Sequence, residues 1–250
     1  MTIHATRETE LADALAAVRL RVDRAAENVG RNPADIELLP ITKFFPATDV
    51  AILTTLGCRS FGESREQEAS AKVAEVNAAV GELSAELHWH MVGQIQRNKA
   101  RAIAAWAHTA HSISSAKVVT ALNRAAGELL EAGDRAAPLH IYIQLSYDGD
   151  IARGGVDVGD PAAVDEICAQ VAQADALTLA GVMGVPPLGV DPDAVFAKFA
   201  SEHRRVMEKH PQATGLSAGM SDDLEIAVKH GSTCVRVGTA IMGPRPLTSP

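Results

Sequence analysis

Cysteine is scarce in this chain, with three in 250 residues, at positions 58, 168 and 234. The number is odd, the spacings are long and no C-x-x-C pair occurs. A disulfide framework and a thiolate zinc site are thereby excluded, and three reduced thiols are expected. Long apolar runs are also absent: no stretch approaches the roughly 20 residues that a bilayer-spanning helix needs, so no membrane partner is expected. Positive charge is in deficit, with 23 Lys and Arg against 31 Asp and Glu and a net charge of −8. A generally basic surface for tracking a phosphate backbone is lacking, which argues against nucleic acid as a partner. Near the N-terminus, Arg7, Glu8, Glu10, Asp13 and Arg19 interrupt the segment where a secretory leader needs a continuous apolar core. A cytoplasmic location follows as the expectation. No break in composition, low-complexity stretch or internal repeat marks a boundary, so residues 1–250 are read as a single domain.

What the chain has is alternation. Short β-branched or apolar runs at 36–42, 59–62, 88–92, 109–113, 139–146, 177–183, 214–217 and 233–237 are separated by Ala-rich helical stretches. Those stretches cover 48–56, 65–83, 97–106, 116–132, 162–174, 193–210 and 222–229. Eight β-α units in a chain of this length predict a closed (β/α)₈ TIM barrel of class α/β. A doubly wound open sheet is the alternative, but no G-x-G-x-x-G follows the first strand. Ahead of that strand, Leu11, Leu15, Val18, Val22 and Val29 stand near helical spacing. They predict an extra amphipathic N-terminal helix over 8–28, packed on the barrel. The segments 147–159, rich in Gly and Asp, and 183–192, with three prolines, are expected to be flexible loops on the functional rim.

The first strand delivers Lys43 to a loop mouth, with Phe44, Phe45 and Pro46 directly after it. Apolar neighbours strip hydration from an ammonium and favour its neutral, nucleophilic form, the setting of a Schiff-base lysine. Standing alone, the segment is more simply a solvated lysine opening a loop. The far end of the chain adds weight to the first reading. Active sites of (β/α)₈ barrels lie at the C-terminal ends of the strands, and phosphates commonly bind after the seventh and eighth. There the chain reads Ser217-Ala218-Gly219-Met220-Ser221 and Arg236-Val237-Gly238-Thr239. Glycines admit backbone N–H groups to an anion and hydroxyls donate to it, so Ser217, Gly238 and Thr239 are read as phosphate contacts. Ser221 is read instead as a helix cap, with Asp222 and Asp223 complementing the helix dipole. A phosphorylated aldehyde would bridge Lys43 and this cup. Arg236, inward-facing if Cys234 and Gly238 are, would reach a ring nitrogen of such a ligand. Because arginine keeps its proton, that nitrogen would stay unprotonated and the ring would be a weaker electron sink.

Several long stretches carry a family resemblance. Pro40-Ile41-Thr42-Lys43, Phe61-Gly62-Glu63, the run from His88 to Lys99, Ser217 to Asp223 and Gly231 to Ile241 together resemble the YggS/PROSC family of pyridoxal 5'-phosphate (PLP) homeostasis proteins. The resemblance covers essentially the full chain. It implies a barrel like the N-terminal domain of alanine racemase, with PLP as cofactor, held as a Schiff base on Lys43. It further implies phosphate contacts from Ser217, Gly238 and Thr239, with Gly219 and Met220 in the same loop, and a pyridine contact from Arg236. His90 is then expected inside the barrel near the cofactor and Met183 beneath the ring. Gln96, Asn98 and Lys99 are expected to hold the third loop and the helix start. His88 and His90 share a strand face, but no third ligand stands at metal spacing, so no metal site is expected. Two positions depart from the family pattern: Ser64 where Phe-Gly-Glu-Asn is frequent, and Arg153 where a lysine often precedes the glycine.

Two function classes follow. One is a PLP carrier without turnover, a monomer that buffers the aldehyde or delivers it to PLP-dependent apo-enzymes. The other is an amino-acid racemase or decarboxylase of the alanine racemase fold type. Enzymes with this barrel usually carry a further β domain that lends an acid/base residue, often a tyrosine. This chain ends soon after the eighth strand with Tyr142 and Tyr147 as its tyrosines. The carrier reading is therefore preferred, with Tyr147 as the residue that a two-base mechanism would need.

Overall fold

The computed structural model describes residues 2–150 and 153–245. The chain opens with helix α1 (Thr2–Glu27) and a 3₁₀ turn, then alternates. In order come β1 (Glu37–Pro40), α2 (Ala47–Thr55), β2 (Ser60–Glu63), α3 (Glu66–Val80), β3 (His88–Met91), α4 (Ala100–Trp106), β4 (Thr109–Ile113), α5 (Ala116–Ala132) and β5 (Leu139–Ser146). Then follow β6 (Val156–Asp157), α6 (Pro161–Ala172), β7 (Leu177–Gly184), α7 (Pro192–Lys209), β8 (Gly215–Ser217), α8 (Leu224–Lys229), β9 (Cys234–Val237) and α9 (Thr239–Met242). Local chemistry sets several of these bounds. Asp160 and Asp191 each accept a backbone N–H of the first turn (both 3.1 Å) ahead of a proline, and Gly133 ends α5 in the left-handed conformation at φ 77°.

All strands pair in parallel, in the order β1-β9-β8-β7-β5-β4-β3-β2, with the short β6 added to β5. A bridge between Ile41 and Gly62, reinforced by the Thr42 amide donating to the Gly62 carbonyl at 3.0 Å, joins the two ends. The sheet thus forms the expected barrel of eight strands, with helices around it.

The N-terminal helix is present as the spacing predicts. Leu11, Leu15, Val18 and Val22 are buried and share one core with Val50 and Leu53 of α2, Leu224 and Val228 of α8, and Ile241 and Met242 of α9. Arginines tie it down at its rim. Arg7 donates to Asp49 (2.7 Å) and to the Met242 carbonyl (2.9 Å), and Arg21 pairs with Glu225 at 2.8 Å. Val29 does not join this stripe: it lies past the helix end and is exposed.

Other bounds differ from the sequence reading for identifiable reasons. The helix expected over 65–83 stops at Val80, because Gly81 turns at φ 59° into a 3₁₀ segment. That expected over 97–106 starts as a 3₁₀ turn, Arg97–Lys99. The helix expected from 222 begins at Leu224, because the Asp223 carboxylate accepts the Met220 amide at 2.6 Å and closes a turn. Within the loop expected over 147–159, Val156 and Asp157 pair with β5, while Ile151 and Ala152 lie outside the described residues. Strand β6 and helix α9 are too short to leave a periodic signal.

Candidate functional site

Lys43 follows directly on the barrel closure and is exposed at the C-terminal mouth. Its predecessor is held tightly. The Thr42 hydroxyl donates to Glu63 Oε1 at 2.7 Å, and Lys72 Nζ from α3 donates to the same oxygen (2.7 Å) and to the Thr42 carbonyl (2.9 Å). The Glu63 side chain is 1% exposed, and its Oε2 is buried without a hydrogen-bond partner. On the other side of Lys43, Phe44 sits at φ 71°, a left-handed conformation that costs a non-glycine residue about 1–3 kcal/mol. Cations surround its ring: Arg245 Cζ at 3.9 Å from the centroid, Arg65 Cζ at 5.3 Å and Lys43 Nζ at 5.8 Å. A fixed strand end and a strained, braced turn therefore flank the lysine.

Inside the barrel a polar cluster stands beside the apolar Leu39, Ile41 and Cys234. Arg236 of β9 is buried; it donates through Nη1 to Ser217 Oγ (2.6 Å) and through Nη2 to the Gly184 carbonyl (3.0 Å). No carboxylate among the described residues pairs with it. Burial lowers its pKa from the ordinary value, the direction set by lost hydration. His111 of β4 stands 3.0 Å from Ser217 Oγ through Nδ1 and 2.9 Å from His90 Nδ1 through Nε2, and it stacks on Tyr142 at 4.6 Å. Strands β4 and β8 are separated in the sheet by β5 and β7, so contact between His111 and Ser217 is made across the bore. Burial holds both imidazoles neutral, lowering His90 to about pKa 4 and His111 well below its ordinary value, although the Glu37 charge works in the opposite sense on His90. At the N-terminal mouth His108 stacks on His88 (4.1 Å) and packs at a tilt against His140 (4.6 Å).

The expected site residues thus divide by depth. Lys43 and Thr239 are exposed at the rim, and Gly238 is half-buried there. A Cβ at Gly238 would meet Ile41 only at 3.6 Å, so packing does not demand glycine and the backbone lies open to the mouth. Gly219 has a different reason to be glycine: φ is 91° and a Cβ would stand 2.6 Å from that of Ala227. Met220 is partly exposed, with its amide spent on Asp223. Ser217 is fully buried, its hydroxyl engaged by Arg236 and His111 below the rim. The hydroxyl that faces helix α9 is that of Ser221, which accepts the Ala240 amide at 3.3 Å rather than capping α8. Met183 is buried beside Ser217 in the β7–β8 register. His90 lies deeper, three hydrogen bonds from Arg236.

Other expectations meet different surroundings. Tyr147 is outside the bore, its ring under Lys198 Nζ of α7 at 5.1 Å. Arg153 is bound to Asp148 and Asp150, and Lys99 pairs with Glu66 of α3 at 3.1 Å. The Ser64 backbone packs so closely on Gly93 that a Cβ there would lie 2.0 Å from its carbonyl oxygen. Residues that sequence reasoning missed are Glu63 as the brace of Thr42, Lys72, and His111. Only the β-strand period, which puts Glu63 on the same face as Phe61, hinted that a carboxylate was going into the buried layer between β2 and α3.

These features have counterparts in known proteins. Residues 14–246 match the family model of the alanine racemase N-terminal domain. The chain is 61% identical over 98% of its length to the pyridoxal phosphate homeostasis protein of Mycobacterium leprae, covering 96% of that protein. It is 34% identical to that of Escherichia coli K12, over 94% of this chain and 97% of the other. Among solved structures, PipY of Synechococcus elongatus PCC7942, with PLP bound, superposes with a TM-score of 0.76 at 30% identity, over 93% of this chain and all of that one. Alanine racemase of Corynebacterium glutamicum shares the fold, with a TM-score of 0.65 at 15% identity; this chain matches 62% of its length and 96% of its own. The chain belongs to the pyridoxal phosphate homeostasis protein family, on the barrel of the alanine racemase N-terminal domain.

Proposed function

We propose that this protein binds pyridoxal 5'-phosphate with Lys43 as its covalent anchor, and that it stores and hands on the cofactor rather than using it. The observation that carries the reading is the pair formed across adjacent strands. An exposed amine follows β1, and a buried guanidinium without a carboxylate partner among the described residues stands on β9, where Arg236 registers with Leu39. PLP supplies an aldehyde that an amine captures as a Schiff base, and a ring nitrogen that accepts a hydrogen bond. Arg236 spends two of its five N–H donors on Ser217 and Gly184, which leaves donors for that nitrogen. Its permanent charge keeps a proton off the ring, which suits holding the cofactor better than using it. At the rim, Gly238, Thr239 and the Ser221 hydroxyl are the groups we assign to the phosphate, and Met183 lies on the ring side. The Tyr147 ring is engaged by Lys198 of α7 rather than by the groups of the bore, which argues against its serving as a second acid/base group. Recipients would be PLP-requiring apo-enzymes, and a monomer suffices for the site as drawn.

The test is spectroscopic. Purified protein mixed with PLP is expected to show the absorbance of a lysine adduct, and borohydride followed by peptide mapping is expected to fix it at Lys43. Lys43→Ala removes both signals. A reduced adduct mapped to another lysine, such as Lys99, would refute the anchor, and sustained racemisation of an amino acid would refute the carrier role.

A further inference from the structure

We infer that hydrogen bonds through the bore run one way, from Arg236 through Ser217 and His111 to His90, and that these three residues position Arg236 toward the ring end of the ligand. The inference rests on the reading of Arg236 as the ring contact.

The direction follows from the inventory of donors. A guanidinium has donors alone, so at 2.6 Å the Ser217 oxygen must accept from Arg236. The single hydroxyl hydrogen then has two acceptors in reach, His111 Nδ1 at 3.0 Å and the Cys234 sulfur. Sulfur is the weaker acceptor, and the imidazole nitrogen takes the hydrogen. His111 Nδ1 is therefore bare, and a neutral ring must carry its proton on Nε2, where it donates to His90 Nδ1 at 2.9 Å. His90 in turn carries its proton on Nε2, which faces Glu37 Oε1 at 3.9 Å near the opposite mouth. Once the Ser217 hydrogen goes to His111, each tautomer follows from the one before it. Reversing the two histidine links together would leave the Ser217 hydrogen to the weaker sulfur acceptor and turn a bare His90 Nε2 toward the Glu37 carboxylate.

The consequence is electrostatic. Every dipole in the relay turns its negative end toward Arg236, which supports a buried cation that forms no ion pair among the described residues. The Gly184 carbonyl fixes the second nitrogen, so the guanidinium is held at two points and its remaining donors are aimed. A carboxylate in the place of Ser217 would neutralise the charge; the relay holds it in place and leaves it positive.

The first measurement needs no cofactor. Imidazole ¹⁵N–¹H correlation spectra of the unaltered protein at pH 7 are expected to show the Nε2–H tautomer for both His111 and His90. An Nδ1–H tautomer at either, or a doubly protonated ring, overturns the chain. The second uses His111→Phe, which keeps a ring against Tyr142 and removes both nitrogens. Affinity for PLP and for pyridoxal is expected to fall equally, by roughly tenfold, with a shifted absorbance maximum for the bound cofactor. Unchanged affinity and spectrum overturn the positioning role, and a loss confined to PLP overturns it in favour of Ser217 at the phosphate. If unaltered protein takes no PLP, the proposed function fails, while the tautomer spectra still decide the direction of the chain.

Discussion

Replacing Lys72 by methionine tests whether the brace under Lys43 is a coupled unit. Lys72 and Glu63 meet at 2.7 Å with side chains 10% and 1% exposed, and the Thr42 hydroxyl and carbonyl complete the cluster. In Lys72→Met the Glu63 carboxylate stays buried with one hydroxyl donor in place of a hydroxyl and an ammonium. Stranding one member of a buried pair costs about 3–5 kcal/mol. In a chain of this size each kcal/mol moves the midpoint by about 2–4 °C, so thermal unfolding should begin roughly 6–20 °C lower. Glu63→Leu combined with Lys72→Met removes both charges and the orphaned Oε2 together, and that double variant should recover most of the loss. Urea unfolding of the wild type, both single variants and the double variant closes the cycle. A Lys72→Met cost below about 1 kcal/mol, or single costs that simply add, would refute a coupled brace.

Two further outcomes follow from the interior. His90 titrates near pH 4 when folded and near 6.5 when unfolded, so the unfolded chain binds the extra proton between these values. Stability is therefore full above about pH 6.5 and is lost as pH falls toward 4, by about 3 kcal/mol for this group; urea midpoints for His90→Gln should show a shallower acid loss, and an unaltered slope would count against a neutral buried His90. Gly184→Ala would place a Cβ 2.3 Å from the Phe199 ring and displace the carbonyl that holds Arg236. A loss of about 1–3 kcal/mol is expected, together with weaker PLP binding, and normal values for both would show that β7 yields without cost.

Much of the fold was legible because its signals are periodic. Eight apolar runs and the helices between them announced the barrel, and the α1 stripe from Leu11 to Val22 announced the extra helix. The placement of Lys43 at the mouth was legible because it follows the first strand, and that of Arg236 in the bore because it alternates inward with Cys234. The remainder lay in contacts between strands distant in the sheet. Nothing in the stretch around His111 reveals that it will meet Ser217, 106 residues later, and nothing near Ser217 reveals that its hydroxyl will be used below the rim. Phe44 gave no sign of its left-handed turn, since glycine or asparagine usually marks one. Glu63 read as part of a motif; its role as a brace depends on Lys72 nine residues on, across the gap between strand and helix.

The adjacency of β1 and β9 has a consequence for biosynthesis. Lys43 leaves the ribosome about 190 residues ahead of Arg236, which at 5–20 residues per second means about 10–40 s without its partner strand. If Lys43 is the anchor proposed above, the amine is during that interval one nucleophile among many, with neither the guanidinium nor the rim loops to retain an aldehyde. Occupancy by cofactor would therefore report that synthesis has reached the ninth strand, and truncated chains would be born unable to sequester a reactive carbonyl.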